Sequence, residues 1–206
     1  GGKNEGMAIQ PIRPLDATEA AAKTARALQQ YLAIARGLLN QHPINKQRIL
    51  AGLLPANAIL TRSGGIVTQC IPLKERFKGI RCAAVSGEAT VQAIAKMAGM
   101  QTFIHPGITG SYDFNGQLKA SAALELLHDN DLVLVHVKAT DLAGHDGRWD
   151  VKKAIIEQID KMVEAIKANS PDTLIAITAD HSTPCEVGEH SGDPLHTYLH
   201  SAKVIP

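Results

Sequence analysis

Aromatic side chains are scarce in this chain: three Phe, three Tyr and one Trp make up 3% of 206 residues. A base-stacking platform or an aromatic sugar clamp needs more. Neither sign of charge is in excess. Lys and Arg number 21 against 20 Asp and Glu, a formal net charge of +1. A general nucleic-acid or polyanion binder would carry a basic surplus, so no nucleic-acid partner is expected. Long apolar runs are absent too. No stretch approaches the roughly 18 residues of a membrane span, and the start lacks a signal-peptide pattern, so no membrane association is expected. Cysteine occurs three times, as Cys70, Cys82 and Cys185. The odd count without metal-knuckle spacing predicts free thiols in a reducing compartment, the cytoplasm.

What is present is ordinary globular material: 45% hydrophobic and 20% charged residues. The length suits one good-sized domain, or one domain with an appendage. The first 15 residues, rich in Gly and Pro, read as a loop. Asp16 and Glu19 form a capping pair for a long helix through Asn40. Leu28, Tyr31, Leu32, Ile34, Ala35 and Leu38 give it an apolar face. His42-Pro43 ends it, and Asn45 caps a short helix to Leu50.

From about residue 56 the texture changes. Strands are expected at Ala58–Thr61, Cys82–Val85, Thr102–Ile104, Asp131–Val137 and Thr173–Thr178. Helices are expected over Glu88–Met97, Leu118–Leu127 and Trp149–Lys167, with Gly99 stopping the first of these. Alternating strands and helices predict an α/β fold, a mostly parallel sheet with helices on both faces. The boundary falls near 55. Residues 1–55 read as a helical linking or inserted segment, and 56–206 as the α/β core.

Five of the nine His follow residue 140. Asp141 and His145 come just after the strand ending at Val137, Asp180 and His181 just after the strand ending at Thr178. Parallel strands place their ligands at that carboxyl edge. His190, in a Gly-containing loop, can return a fifth group. Carboxylate with imidazole and no thiolate suits Mn, Zn, Fe or Co, and the imidazoles argue against a Ca or Mg cage. Asp141 and His145 are read as reaching one ion from a tight turn. Lys138 and Arg62 are candidate anion contacts, each weighed against a plain surface or loop role. Thr140 and Ser182 read as loop stabilisers. His196 and His200 would form a further metal pair if helical, but two exposed His are the favoured reading.

The motifs Thr140-Asp141-Leu142-Ala143-Gly144-His145-Asp146-Gly147, Ala179-Asp180-His181-Ser182-Thr183-Pro184 and Glu189-His190-Ser191-Gly192-Asp193-Pro194 resemble those of the archaeal type of 2,3-bisphosphoglycerate-independent phosphoglycerate mutase, of the alkaline phosphatase superfamily. Pro55-Ala56-Asn57-Ala58 and Pro106-Gly107-Ile108-Thr109-Gly110 extend the likeness upstream. The resemblance implies an alkaline-phosphatase-like core and interconversion of 2- and 3-phosphoglycerate through a phosphoserine. It also implies two divalent ions (Mn or Zn) and no 2,3-bisphosphoglycerate. Asp141, His145 and His190 match the ligands of one ion, and Asp180 and His181 two ligands of the other. The family's nucleophilic serine and a further aspartate find no match, so no catalytic residue is assigned. The chain reads as roughly the C-terminal half of such an enzyme, inactive alone, with an open sheet edge that favours a homo-oligomer. Another phosphatase or phosphomutase of the superfamily, or a non-catalytic metal-binding remnant, are the rival readings.

Overall fold

The computed structural model describes residues 8–61, 64–65 and 69–202. The chain divides into two compact units, Gly1–Val67 and Thr68–Pro206.

In the first unit the long helix, α1 (Glu19–Gln41), is capped by Thr18, whose hydroxyl accepts from the Ala21 N–H at 3.1 Å. Asp16, expected as the cap, stands two residues further out and accepts from the backbone and hydroxyl of Thr18. The following helix, α2 (Pro43–Leu50), starts on the His42 ring, with Pro43 in the first turn where its missing N–H costs nothing. Asn45 is therefore no cap. It is 4% exposed, donates to the carbonyls of Leu39 and Ala56, and accepts from the Ala56 N–H. The strand expected at Ala58–Thr61 does not form. Those residues are irregular and exposed, Leu60 at 72%, because apolar character makes no strand without a ladder to satisfy its backbone.

The second unit opens with a one-turn helix that sequence periodicity had not suggested, α3 (Leu73–Arg76). Strand β1 (Cys82–Val85) lies between β2 (Gln101–Phe103) and β3 (Leu132–Val135), all parallel. The register runs Cys82 to Leu132 and Ala83 to Gln101. Asp131 pins it: its carboxylate accepts from the Arg81 backbone and guanidinium, while its own N–H donates to the Arg81 carbonyl. Two helices make the crossovers. One is α4 (Ala89–Met97), capped by Glu88 and stopped at Gly99, whose φ of +74° suits glycine. The other is α5 (Gly116–Leu127), capped by Asn115. Ala83, Val85, Ile108, Ala122 and Leu126 form the core between β1 and α5. Small residues on α5, Ala120 and Ala123, let it pack against Met162 and Ile166 of the long amphipathic helix α7 (Trp149–Asn169).

The last apolar strand departs from expectation. It shortens to β4 (Ile175–Ile177) and pairs antiparallel with β5 (Tyr198–His200), outside the three-stranded sheet. The C-terminal segment, with His196 and His200, thus forms an exposed strand end, not a helix, and the helical pairing of the two His is not made. Among the described residues no helix is long and apolar enough to cross a membrane. The three cysteines are unpaired, with Cys70 exposed and Cys82 buried.

Candidate metal centre

The Asp141 motif is a short helix, α6 (Ala139–His145), where a tight turn was expected. The helix is held by burial: Ala139 and Ala143 are fully buried beside Phe114 and Ile155. Four-residue spacing on a helix puts Asp141 and His145 on one face, and this is how both reach the same point.

That point is Asp141 Oδ1. His190 Nε2 lies 3.4 Å from it, His145 Nε2 3.5 Å and His181 Nδ1 3.9 Å. His145 Nε2 and His190 Nε2 are 3.3 Å apart. The His181 and His190 rings stack with centroids at 3.6 Å. Asp141, His181 and His190 each offer a ligand atom within 4.8 Å of the other two. Asp180 reaches the group through His181, its carboxylate 3.3 Å from His181 Nε2.

The second layer fixes which atoms face the centre. His145 Nδ1 lies 2.8 Å from the Gly188 carbonyl, which can only accept. Nδ1 therefore carries a hydrogen, and Nε2 is the ring atom that faces Asp141 and His190. Thr183, 4% exposed, donates its hydroxyl to Asp141 Oδ1 at 2.6 Å. Lys138 Nζ takes the other oxygen at 2.5 Å. Burial pushes the Asp141 carboxyl up, and the hydrogen bonds from Lys138 and Thr183 more than reverse this, leaving its pKa at about 2. The carboxylate is ionised at any working pH. An ionised carboxylate oxygen with imidazole nitrogens gathered around it is the donor chemistry of a divalent cation site of the Zn or Mn kind.

Backbone contacts assemble the loops. Ser191 N–H donates to the Ser182 carbonyl at 3.0 Å, which lays the His190 loop on the His181 turn. Lys152 of α7 donates to the Thr183 carbonyl at 2.8 Å. Gly144 lets α6 approach the same turn backbone to backbone. The structure thus gathers Asp141, His145, His181, His190 and, at the margin, Asp180. Lys138 sits within the cluster, paired to Asp141. Arg62 lies outside the described residues. Thr183, Gly188 and Gly144 had not been singled out from the sequence. Their parts are played by a hydroxyl, a carbonyl and a missing Cβ, and only the Thr, two residues past His181 in the same turn, left a trace.

The sequence matches the Metalloenzyme superfamily over residues 6–206. Among curated relatives, a 2,3-bisphosphoglycerate-independent phosphoglycerate mutase of Ignicoccus hospitalis is 39% identical over 203 residues, covering 98% of this chain and 49% of the relative. One of Picrophilus torridus is 40% identical over 184 residues, covering 89% and 45%. Among solved structures, a Pyrococcus horikoshii protein aligns with TM-score 0.79 at 37% identity, over 90% of this chain and 49% of that one. A cofactor-independent phosphoglycerate mutase from Thermoplasma acidophilum aligns with TM-score 0.54 at 29% identity, over 97% and 47%. The chain spans about half the length of the curated relatives it matches, and its α/β architecture is consistent with a partial alkaline-phosphatase-like core.

Proposed function

We propose, from the premise that this chain belongs to the Metalloenzyme superfamily, that it is the metal-binding part of a 2,3-bisphosphoglycerate-independent phosphoglycerate mutase. The carrying observation is the convergence of three imidazoles on Asp141 Oδ1. The names of its relatives supply the substrate class, a small phosphate ester. The reaction so proposed interconverts 2- and 3-phosphoglycerate in cytoplasmic glycolysis and gluconeogenesis. Residues 56–206 are proposed as the core and 1–55 as the linking segment.

In this reading Asp141, His145 and His190 hold one divalent ion, Mn or Zn, and Asp180 and His181 hold part of a second. Bound ions would offset charge on phosphoryl oxygens and lower the pKa of a nearby hydroxyl. The chain's own residues do the rest. Gly188 keeps His145 Nε2 on the ligand side. Thr183 fixes the rotation of the Asp141 carboxylate. Lys138 keeps that carboxylate charged; with a cation in its place the ammonium is released to a substrate phosphate or carboxylate. Arg62 is proposed as a second anion contact.

Calorimetric titration of the metal-free chain with Mn and then Zn, followed by 3-phosphoglycerate, tests this. One tight ion and a weaker second are expected, with phosphoglycerate bound better by the loaded protein. Absence of metal binding would overturn the reading. Phosphoglycerate bound no better than inorganic phosphate would move the substrate to another phosphate ester.

A further inference from the structure

His181 presents its two ring nitrogens to two different carboxylates. Nδ1 lies 3.9 Å from Asp141 Oδ1, and Nε2 lies 3.3 Å from Asp180 Oδ2. The two atoms would give the ring different tasks at a metal centre. Ligation through Nδ1 would add His181 to the ion of Asp141, His145 and His190. Ligation through Nε2 would hold it to the ion of Asp180.

Thr183 decides between them. Its hydroxyl stands 2.6 Å from Asp141 Oδ1 and 3.2 Å from His181 Nδ1. The residue is 4% exposed, so solvent does not compete for that hydroxyl. Its backbone is held as well, by Lys152 on its carbonyl and by the close approach of Gly144. A hydroxyl has one proton to give. The Asp141 carboxylate, paired to the Lys138 ammonium through its other oxygen, can only accept, and its contact is the shorter of the two. The Thr183 proton therefore goes to Asp141. The hydroxyl oxygen is left to accept, and the donor that meets it is the Nδ1–H of His181. Nδ1 is itself beyond hydrogen-bond reach of Asp141, so the relay runs through the hydroxyl.

We propose that Thr183 is a positioning residue for His181: by taking the Nδ1 hydrogen it leaves Nε2 as the one ring atom able to hold a cation, on the side of Asp180. The proposal rests on the metal-centre reading and adds to it which atom of His181 serves and what selects that atom. Ligating imidazoles as a rule donate their other ring N–H to an outer group, and here that group is in turn bonded to Asp141. The 3.3 Å between Nε2 and Asp180 Oδ2 suits two ligands of one ion, each about 2.0–2.2 Å from it.

The test combines imidazole nitrogen spectra of the labelled chain, metal-free and Zn-loaded, with Zn titration. Spectra are taken at about pH 8.5, well above the ordinary imidazole pKa. In the metal-free parent His181 Nδ1 should carry a hydrogen. On loading, Nδ1 should keep it and the Nε2 resonance should shift to a metal-bound position. Thr183→Val, similar in shape without the hydroxyl, should mix the two tautomers of the metal-free ring and weaken the second ion about tenfold or more. Thr183→Ser should restore both. Thr183→Val also strips Asp141 of a bond, so the ring tautomer is the deciding readout. A bare Nδ1 in the metal-free parent, or Zn taken up at Nδ1, would overturn the proposal. A folded Thr183→Val with the parent's tautomer and second-ion affinity would do the same. A parent that takes up no Zn sinks the metal-centre reading instead, and the Nδ1 hydrogen of the metal-free ring then decides the relay alone.

Discussion

A Cβ placed on Gly144 would lie 2.2 Å from the carbonyl oxygen of Thr183. The helix carrying Asp141 and the turn carrying His181 therefore touch through their backbones, and the contact is what brings the Thr183 hydroxyl onto Asp141. Gly144→Ala must push the two apart. Overpacking of this kind costs about 1–3 kcal/mol, and Mn affinity should fall with it. Gly192→Ala is the control, since a Cβ there meets nothing within 4 Å. Thermal unfolding and metal titration of both variants check this. Equal affinity in Gly144→Ala and the parent would remove the contact from the account of the site.

Asp141 is the group that three imidazoles share. Asp141→Ala should abolish all tight Mn binding, and His190→Ala should do the same at the tight ion. His181→Ala should lower the stoichiometry and leave the tight ion in place. Paired cations sit about 3.5–4 Å apart in two-metal sites, so His181 can stand close to Asp141 and still serve the second ion. A His181→Ala variant with no tight ion would merge the two proposed sites into one.

Lys119 lies buried at 1% exposure with its ammonium on the His136 carbonyl, and burial lowers its pKa to about 8 from an ordinary 10.5. The unfolded chain then binds more protons than the folded one between these values, so stability should rise as pH climbs from about 8 to 10.5. The full rise attributable to this group is about 3 kcal/mol. Denaturant unfolding at a series of pH values should show the slope in the parent and not in Lys119→Met. The same slope in both would assign it to other groups.

Asn45 closes the end of the first unit with three hydrogen bonds, to Leu39 and to both backbone groups of Ala56. Asn45→Ala removes all three part-buried bonds, leaving the Leu39 carbonyl only the His42 N–H, a loss of about 1–3 kcal/mol. Amide exchange should accelerate around residues 39–56, leaving the β1–β3 sheet protected. Acceleration spread evenly over the chain would contradict a local role.

Much of the fold could be read before the structure. The Cys82–Val85 strand and the helices α4, α5 and α7 carry clear periodicity, and Gly99 marks a stop that its positive φ explains. Where the reading failed, a contact distant in sequence decided. A Gly within Thr140–Asp146 looks like a turn, and only the pocket beside Phe114 and Ile155 makes it a helix. Ala58–Thr61 looks like a strand, and no strand among the described residues pairs with it. Nothing in Thr173–Thr178 says that its partner is Tyr198–His200 running the other way. The site divides similarly. Its Asp and His announce themselves by residue type, whereas the Gly188 carbonyl and the bare Cα of Gly144 could be found only in three dimensions.

The Arg81–Asp131 clamp at the start of the sheet has a kinetic side. It joins residues 50 apart in sequence, and the β1–β3 ladder behind it has the same separation. Parallel strands this distant must close their loop before any ladder bond rewards it, which makes such pairing slow. The proposed ligand set, running from Asp141 to His190, can gather only once that sheet has placed α6. On the proposed reading, metal recognition would thus come late on the way to the native chain. A cation that binds only the finished cluster would lengthen the lifetime of the folded state and leave the speed of reaching it nearly unchanged.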